Sequence, residues 1–443
     1  MKAKKLLLIV MVAAVIGIGW ILVARAASGT ELLERQQKLL EEADTLVDRK
    51  LYVRAIPFYK EALEQESSLT PEIQEGLLRA YQEYEDMASY AELVQKRAAA
   101  GNAGEEEYLL AAEYYMGVSE REEAITLLRE GLQKLENGSR VKEYLEEIRY
   151  EYKVRLTHYQ QILPAKDNQM MPAFNGEKWG YVDANGSEVI PCIYDSATAF
   201  GSEGYAVVKI NGTYYSILKN GDWYGADDGT NYERMTDVLM VSGSRILGKR
   251  SGTYSYFDSD FSPIAKEYQF SRMTGNANGV AAVEKEGKWG IITDSGKTVV
   301  DFTLEDVAVN SLGSTFAGER AMVKEGGRWY LIDTQGQHIG EASYAEAKAP
   351  ESKGYIAVAN EEGKWGYIDR DGKQVIDFSY MDAKSFSQHL GAVQTVNEWG
   401  YISEENKMVI EPIYGNLEPF HNGIAQVETS EGAGLITLKF FEE

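Results

Sequence analysis

Residues 361–376 read EEGKWGYIDRDGKQVI. Trp365, Tyr367 and Asp369 alternate with Gly366 and Ile368, the period-two pattern of a short strand. Gly372 stands seven residues after the tryptophan, preceded by Asp371, which is the composition of a tight hairpin turn. A second strand, Gln374-Val375-Ile376, follows. The same grammar recurs around Trp179, Trp289, Trp329 and Trp399, and more weakly around Tyr214 and Tyr254. A last stub, AGLITLKFF, begins at Ala433. From Trp179 through Tyr214, Tyr254, Trp289, Trp329, Trp365 and Trp399 to Ala433, the step between neighbours stays nearly constant. A step held that closely defines a structural repeat.

Each unit adds a third strand that leads back to the next tryptophan, such as Tyr205 to Val208, Val280 to Val283 or Tyr355 to Val358. A small antiparallel sheet cannot bury both faces alone, so stacked copies must share a core. Two architectures satisfy this: a closed β-propeller, or an open β-repeat array. Seven full steps with a terminal stub predict a seven-bladed propeller-like ring. Trp179, Trp289, Trp329, Trp365 and Trp399 are read as packing wedges. Gly180, Gly290, Gly366 and Gly400 are the small residues that let a neighbouring backbone approach. At Trp329 the glycine is replaced by Tyr330, so regular geometry is expected to fail there.

The stretches GKWG at 363–366, GYID at 366–369 and VIPCIY at 189–194 resemble the WG-repeat family of bacterial proteins. That resemblance implies a β-repeat interaction platform and no particular chemistry.

Outward from the repeats, the composition of residues 31–162 is helical: rich in Glu, Leu, Ala, Lys, Gln and Tyr, and poor in glycine. The pair Ala43 and Ala55 recurs, equally spaced, as Ala112 and Ala124. Half the interval between the two copies resembles the tetratricopeptide period, which implies protein or peptide binding. A last helix is expected over about 141–162, with residues 163–173 as a linker and 174–443 as the β-repeat domain. The fold class expected is therefore multidomain, α then β.

At the N-terminus, residues 1–5 carry three lysines ahead of an apolar run over 6–24. Nineteen helical residues span about 28 Å, close to a bilayer core. This predicts a single-pass anchor with a cytoplasmic N-terminus and the bulk outside. The alternative is a signal segment cleaved near Ala26.

The chemistry-bearing residues are sparse. His158, His338, His389 and His421 lie at no metal-ligating spacing, and Cys192 is the single cysteine. Asp369-x-Asp371-Gly372 reads as hairpin chemistry rather than a calcium loop. A net charge of −24 disfavours nucleic acid. No catalytic, cofactor-binding or metal-binding residue is assigned. The function expected is a non-enzymatic, membrane-anchored scaffold for envelope proteins. Cell-wall glycan binding through exposed aromatics is the alternative, and a hydrolase in the ring channel a third reading.

Overall fold

The computed structural model describes residues 30–165, 170–224, 235–264, 270–430 and 432–441. The chain divides into two compact units at Arg149/Tyr150. The first unit contains seven helices among its described residues: α1 over 30–48, α2 Tyr52–Ala62, α3 Thr70–Glu83, α4 Met87–Ala99, α5 Glu105–Gly117, α6 Arg121–Lys134 and α7 Ser139–Arg149. Small residues set the close approaches between them. A Cβ on Gly76 of α3 would fall 2.6 Å from the buried Tyr59 ring of α2, and one on Gly131 of α6 would fall 3.0 Å from Tyr108 of α5.

The second unit is an eight-bladed β-propeller, with eight sheets among the described residues. The blades are numbered by the repeat aromatic each contains: Trp179 (1), Tyr214 (2), Tyr254 (3), Trp289 (4), Trp329 (5), Trp365 (6) and Trp399 (7), with Ala433 in that place in blade 8. Eight interblade clusters carry the core around the ring. Each joins one blade to the next, ending with Ile424 and Leu435 of blade 8 against Met171, Ala173 and Val182 of blade 1.

The expected count of seven blades is corrected to eight. The stub at Ala433 is the third strand of a full blade, Gly432–Leu438, behind Asn416–Leu417 and Ile424–Thr429. Its outermost strand is Tyr152–Leu156, paired antiparallel from Tyr152↔Leu438 to Leu156↔Gly434. The two ends of the unit thus complete one blade and close the ring, which removes its free edges. The expected last helix ends at Arg149: Tyr152–Leu156 and Gln161–Ile162 are strands of blades 8 and 1, and Met171–Phe174 begins within the expected linker as a strand of blade 1.

The expected membrane anchor is also corrected. No helix among the described residues is long and apolar enough to cross a membrane. The run 6–24, on which the anchor and the signal segment rested, lies outside the described residues.

The residue after the repeat aromatic meets the outer strand of the blade. In blades 1, 4, 6 and 7 glycine follows the tryptophan, and the outer strand bulges onto it. A Cβ on Gly180, Gly290, Gly366 or Gly400 would lie 2.5–2.8 Å from a carbonyl oxygen of that strand, where the pairing register also shifts. A Cβ on Gly434 of blade 8 would likewise lie 2.7 Å from the Arg155 carbonyl, although the pairing there runs without a register shift. All five blades have four strands. Tyr215, Ser255 and Tyr330 occupy that place in blades 2, 3 and 5, whose sheets have three strands among the described residues, with the outer runs of blades 2 and 3 described only in part. In blade 5 the fourth strand survives only as the bridges Trp329↔Tyr344 and Ile332↔His338.

Neighbouring blades are tied by a second repeated contact. Tyr181, Tyr367 and Tyr401 are fully buried, and each hydroxyl donates to a carbonyl of the next blade: Thr198, Lys384 and Glu418. Burial pushes all three phenols well above their ordinary pKa. The hairpins are closed by the repeat's aspartate. Asp369 Oδ1 accepts the backbone N–H of Asp371 and of Lys373, both at 2.9 Å, and Asp183 and Asp333 repeat the pattern.

Two outcomes are expected. Gly434→Ala forces the closing strand off Arg155 and lowers unfolding free energy by about 1–3 kcal/mol in urea denaturation. Tyr367→Phe strands the Lys384 carbonyl in a dry interface and costs a similar ~1–3 kcal/mol. An unchanged midpoint for either variant would refute the role given to that contact.

Candidate functional site

In every blade but the third, a two-residue first strand runs into an inner loop before the second strand begins; in blade 3 the turn between Met235–Ser242 and Arg245–Arg250 takes its place. These loops line a central cavity of about 1430 Å³, to which every blade contributes. Its lining mixes apolar side chains, Leu163, Leu239 and Val309 among them, with amides and hydroxyls such as Asn276, Gln388 and Asn422.

Hydrogen bonds link loop to loop around most of this belt. Ser242 Oγ donates to the Asn276 carbonyl, and Gly275 N–H to the Gly313 carbonyl. Asn310 Nδ2 donates to the Pro350 carbonyl, Ser352 Oγ to Phe386 and Ser387 Oγ to Phe420. Asn422 Nδ2 donates to the Ala165 carbonyl across the closure.

Three side chains from blades 5, 6 and 8 meet on the cavity wall. Ser311 Oγ lies 2.6 Å from Glu351 Oε2 and 2.6 Å from His421 Nε2. The Ser311 N–H donates to Glu351 Oε1 at 3.0 Å. Glu351 and His421 side chains are 8% and 9% exposed, with His421 Nε2 3.6 Å from Glu351 Oε2. Burial raises the Glu351 carboxyl to about 7 against the pull of its two Ser311 bonds.

These three residues have the types of a hydrolytic triad without its geometry. Glu351 contacts the serine and the same His421 nitrogen that faces the serine, rather than the far side of the imidazole. The backbone donors beside Ser311 are also engaged. Ser311 N–H is held by Glu351, Leu312 and Ser314 N–H by Asn310 Oδ1, and Gly313 N–H by the Asn310 carbonyl. An oxyanion placed at Ser311 would find these donors already committed. The trio binds the inner loops of blades 5, 6 and 8 together.

Sequence spacing contains a signal for this cluster. Ser311, Glu351 and His421 follow Trp289, Trp329 and Trp399 at one and the same offset. Ser387 stands at that offset from Trp365, and Asn276 from Tyr254. Alignment on the aromatic therefore marks a cavity-lining position in five units.

Of the repeat aromatics, Tyr254 and Trp289 reach the cavity lining. Trp289, Trp329, Trp365 and Trp399 are buried in interblade clusters, and Trp179 packs half-buried against blade 1 and Phe174. A cation lies 4.6–5.6 Å over six repeat rings: Lys209 on Tyr214, Lys249 on Tyr254, Arg272 on Trp289, Lys324 on Trp329, Lys348 on Trp365 and Lys384 on Trp399. The other histidines are apart from the trio: His389 pairs with Glu404 at 3.1 Å, His338 stacks on Tyr330, and His158 lies against Tyr159. Cys192 is half-buried, and burial pushes its thiol pKa up. No group of three or more His, Cys, Asp or Glu among the described residues is arranged to hold a metal.

The WG-containing repeat model matches residues 179–214, 254–289, 365–397 and 399–431, each match beginning at the repeat aromatic. The chain carries WG repeats. These matches leave the tetratricopeptide resemblance of the helices and the membrane anchor unsupported. No curated protein matches the chain. Among solved structures, a eukaryotic initiation factor is 12% identical over 67% of this chain and 90% of its own, with a TM-score of 0.41. Hsv2 of Kluyveromyces lactis is 9% identical over 66% and 99%, at 0.36. The WD40 domain of SCAP from fission yeast is 7% identical over 66% and 98%, at 0.37. At these scores the likenesses carry no argument about this chain.

Asn310→Ala is expected to free the 311–314 turn and its link to Pro350. Stability falls by about 1–3 kcal/mol, and amide exchange at Leu312 and Ser314 accelerates while exchange in blade 1 does not. Unchanged exchange at both amides would overturn the reading of Asn310 as the organiser of this turn.

Proposed function

We propose that this WG-repeat propeller is a non-enzymatic protein-interaction scaffold whose central cavity takes an extended segment of a partner protein. The observation that carries this is the cavity itself. Its volume, about 1430 Å³, exceeds the roughly 300–1,000 Å³ typical of small-molecule sites. Its wall offers hydrogen-bonding amides and hydroxyls beside exposed apolar side chains, the combination a peptide backbone with side chains can use. Leu239 and Val309 both line it and are each 47% exposed. The committed backbone donors around Ser311 support the non-enzymatic part of the reading. The buried, cation-capped repeat aromatics favour a protein partner over a glycan, because their faces are not offered for stacking on a sugar.

The test compares full-length variants in capture from the cells that make the protein. Leu239→Asp combined with Val309→Asp places two charges in the cavity at exposed positions. Partner affinity is expected to fall at least about tenfold, with the unfolding midpoint unchanged. The control is Ile413→Asp on the outer strand of blade 7, where Ile413 is 64% exposed; it should bind as the parent does. Equal binding by the cavity variant, or loss only in the outer-strand variant, would move the interface away from the cavity.

A further inference from the structure

We propose that Lys353, on the blade 6 side of the cavity, is a receptor for a side-chain carboxylate, so that the segment the cavity takes is acidic on one face and apolar on the other. This rests on the reading of the cavity as the seat of an extended partner segment.

The charge on the cavity wall is unevenly placed. Blades 2 and 3 line it with uncharged residues, among them Ala199, Phe200, Leu239 and Met240. The charged residues of the described lining come from blades 4, 6, 7 and 8. In a ring of eight, blade 2 stands across the axis from blade 6, so an uncharged, largely apolar wall faces a charged one. An extended chain sends successive side chains to opposite sides. A segment lying between these walls therefore meets them with alternate residues.

Five of the charged side chains on the wall are already engaged. Arg272 lies 3.6 Å from Glu284 and over the Trp289 ring, His389 pairs with Glu404 at 3.1 Å, and Glu351 and His421 share Ser311. Lys353 is exposed and has no hydrogen bond or ion pair among the described residues.

Its neighbours are cations. The Lys353 stem and the Arg370 guanidinium converge over Gly318, where a Cβ would lie 3.0 Å from Lys353 Cγ and 3.2 Å from Arg370 Cζ. Arg370 donates to the Gly318 carbonyl, and Arg320 Nε donates to the Arg370 carbonyl at 2.7 Å. Burial and the nearby Arg320 charge both lower the Arg370 pKa. Two carboxylates offset these charges: Glu319, and Asp371, which lies 3.9 Å from Arg320. Three cations against two carboxylates leave one positive charge over, and the ammonium that reaches the cavity without a partner is that of Lys353. The chain as a whole carries −24, so this local surplus runs against its own background. An acidic residue entering here gains a charge-assisted hydrogen bond, while its neighbours in the segment turn apolar side chains to blades 2 and 3.

The experiment is fluorescence anisotropy of the full-length protein with two capped, dye-labelled peptides, one alternating leucine with glutamate and the other leucine with glutamine. At about 0.15 M salt the repulsion of distant acidic charges is screened. The glutamate peptide is then expected to bind about tenfold tighter than the glutamine peptide. Lys353→Met keeps the stem and removes the charge. It should bring the glutamate peptide to the affinity of the glutamine peptide, leave the latter unchanged, and leave the unfolding midpoint where it was. Leu239→Asn should weaken both peptides by similar factors. Equal affinities in the parent protein, or a preference for glutamate kept in Lys353→Met, would overturn the carboxylate site, and the cavity reading would stand as long as Leu239→Asn weakened binding. Failure of both peptides to bind, or indifference of both to Leu239→Asn, would overturn the cavity reading and this inference with it.

Discussion

The propeller depends on an atom that is missing. Where glycine follows the repeat aromatic, the absent Cβ leaves room for a carbonyl of the outer strand to approach within 2.5–2.8 Å of where that Cβ would be. The strand bulges there, and the blade acquires its fourth member. Where a side chain occupies the place in blade 5, at Tyr330, the outer run pairs only through isolated bridges. Five glycines thus make room for an outer strand, and one of them, Gly434, admits the strand that closes the ring. Ring closure is in this sense a local steric event repeated until the two ends of the unit meet.

This constraint explains what could and could not be read beforehand. The repeat was legible because every unit restates it within one short stretch: tryptophan, glycine, alternation, turn. The failure of blade 5 at Tyr330 was legible for the same reason. The number of blades was not. The eighth unit replaces its tryptophan with Ala433 and lacks a fourth strand of its own. That strand, Tyr152–Leu156, comes from the opposite end of the unit in sequence and follows directly on a helix. Its stretch YKVRL has no turn and no repeat partner beside it, so helical composition upstream decided the reading. Pairing across such a separation leaves no local trace.

The cavity shows a different limit. Five units place a wall residue at the same offset from their aromatic, so much of its location follows from the repeat. Its chemistry does not, because the residue placed there changes from unit to unit: Asn276, Ser311, Glu351, Ser387, His421. A periodic backbone carries an aperiodic set of side chains to one axis. Four isolated histidines offered no cluster in the linear chain. The curvature of the ring brings His421 of blade 8 to Ser311 of blade 5, past the blades between them.

The same division separates stability from function within each unit. Interblade tyrosines, hairpin aspartates and capped tryptophans recur, and each serves the fold of a blade or its contact with the next. Their recurrence is what a ring requires, since every junction must be sealed alike. A recognition surface obeys the opposite rule: identical units around an axis would offer the same contact again and again and could not favour one orientation of an extended partner. The chain keeps its uniform residues at the junctions and its dissimilar ones on the cavity wall. The hydrogen-bonded trio of Ser311, Glu351 and His421, in blades 5, 6 and 8, makes that wall unlike from blade to blade, which the fold alone does not supply.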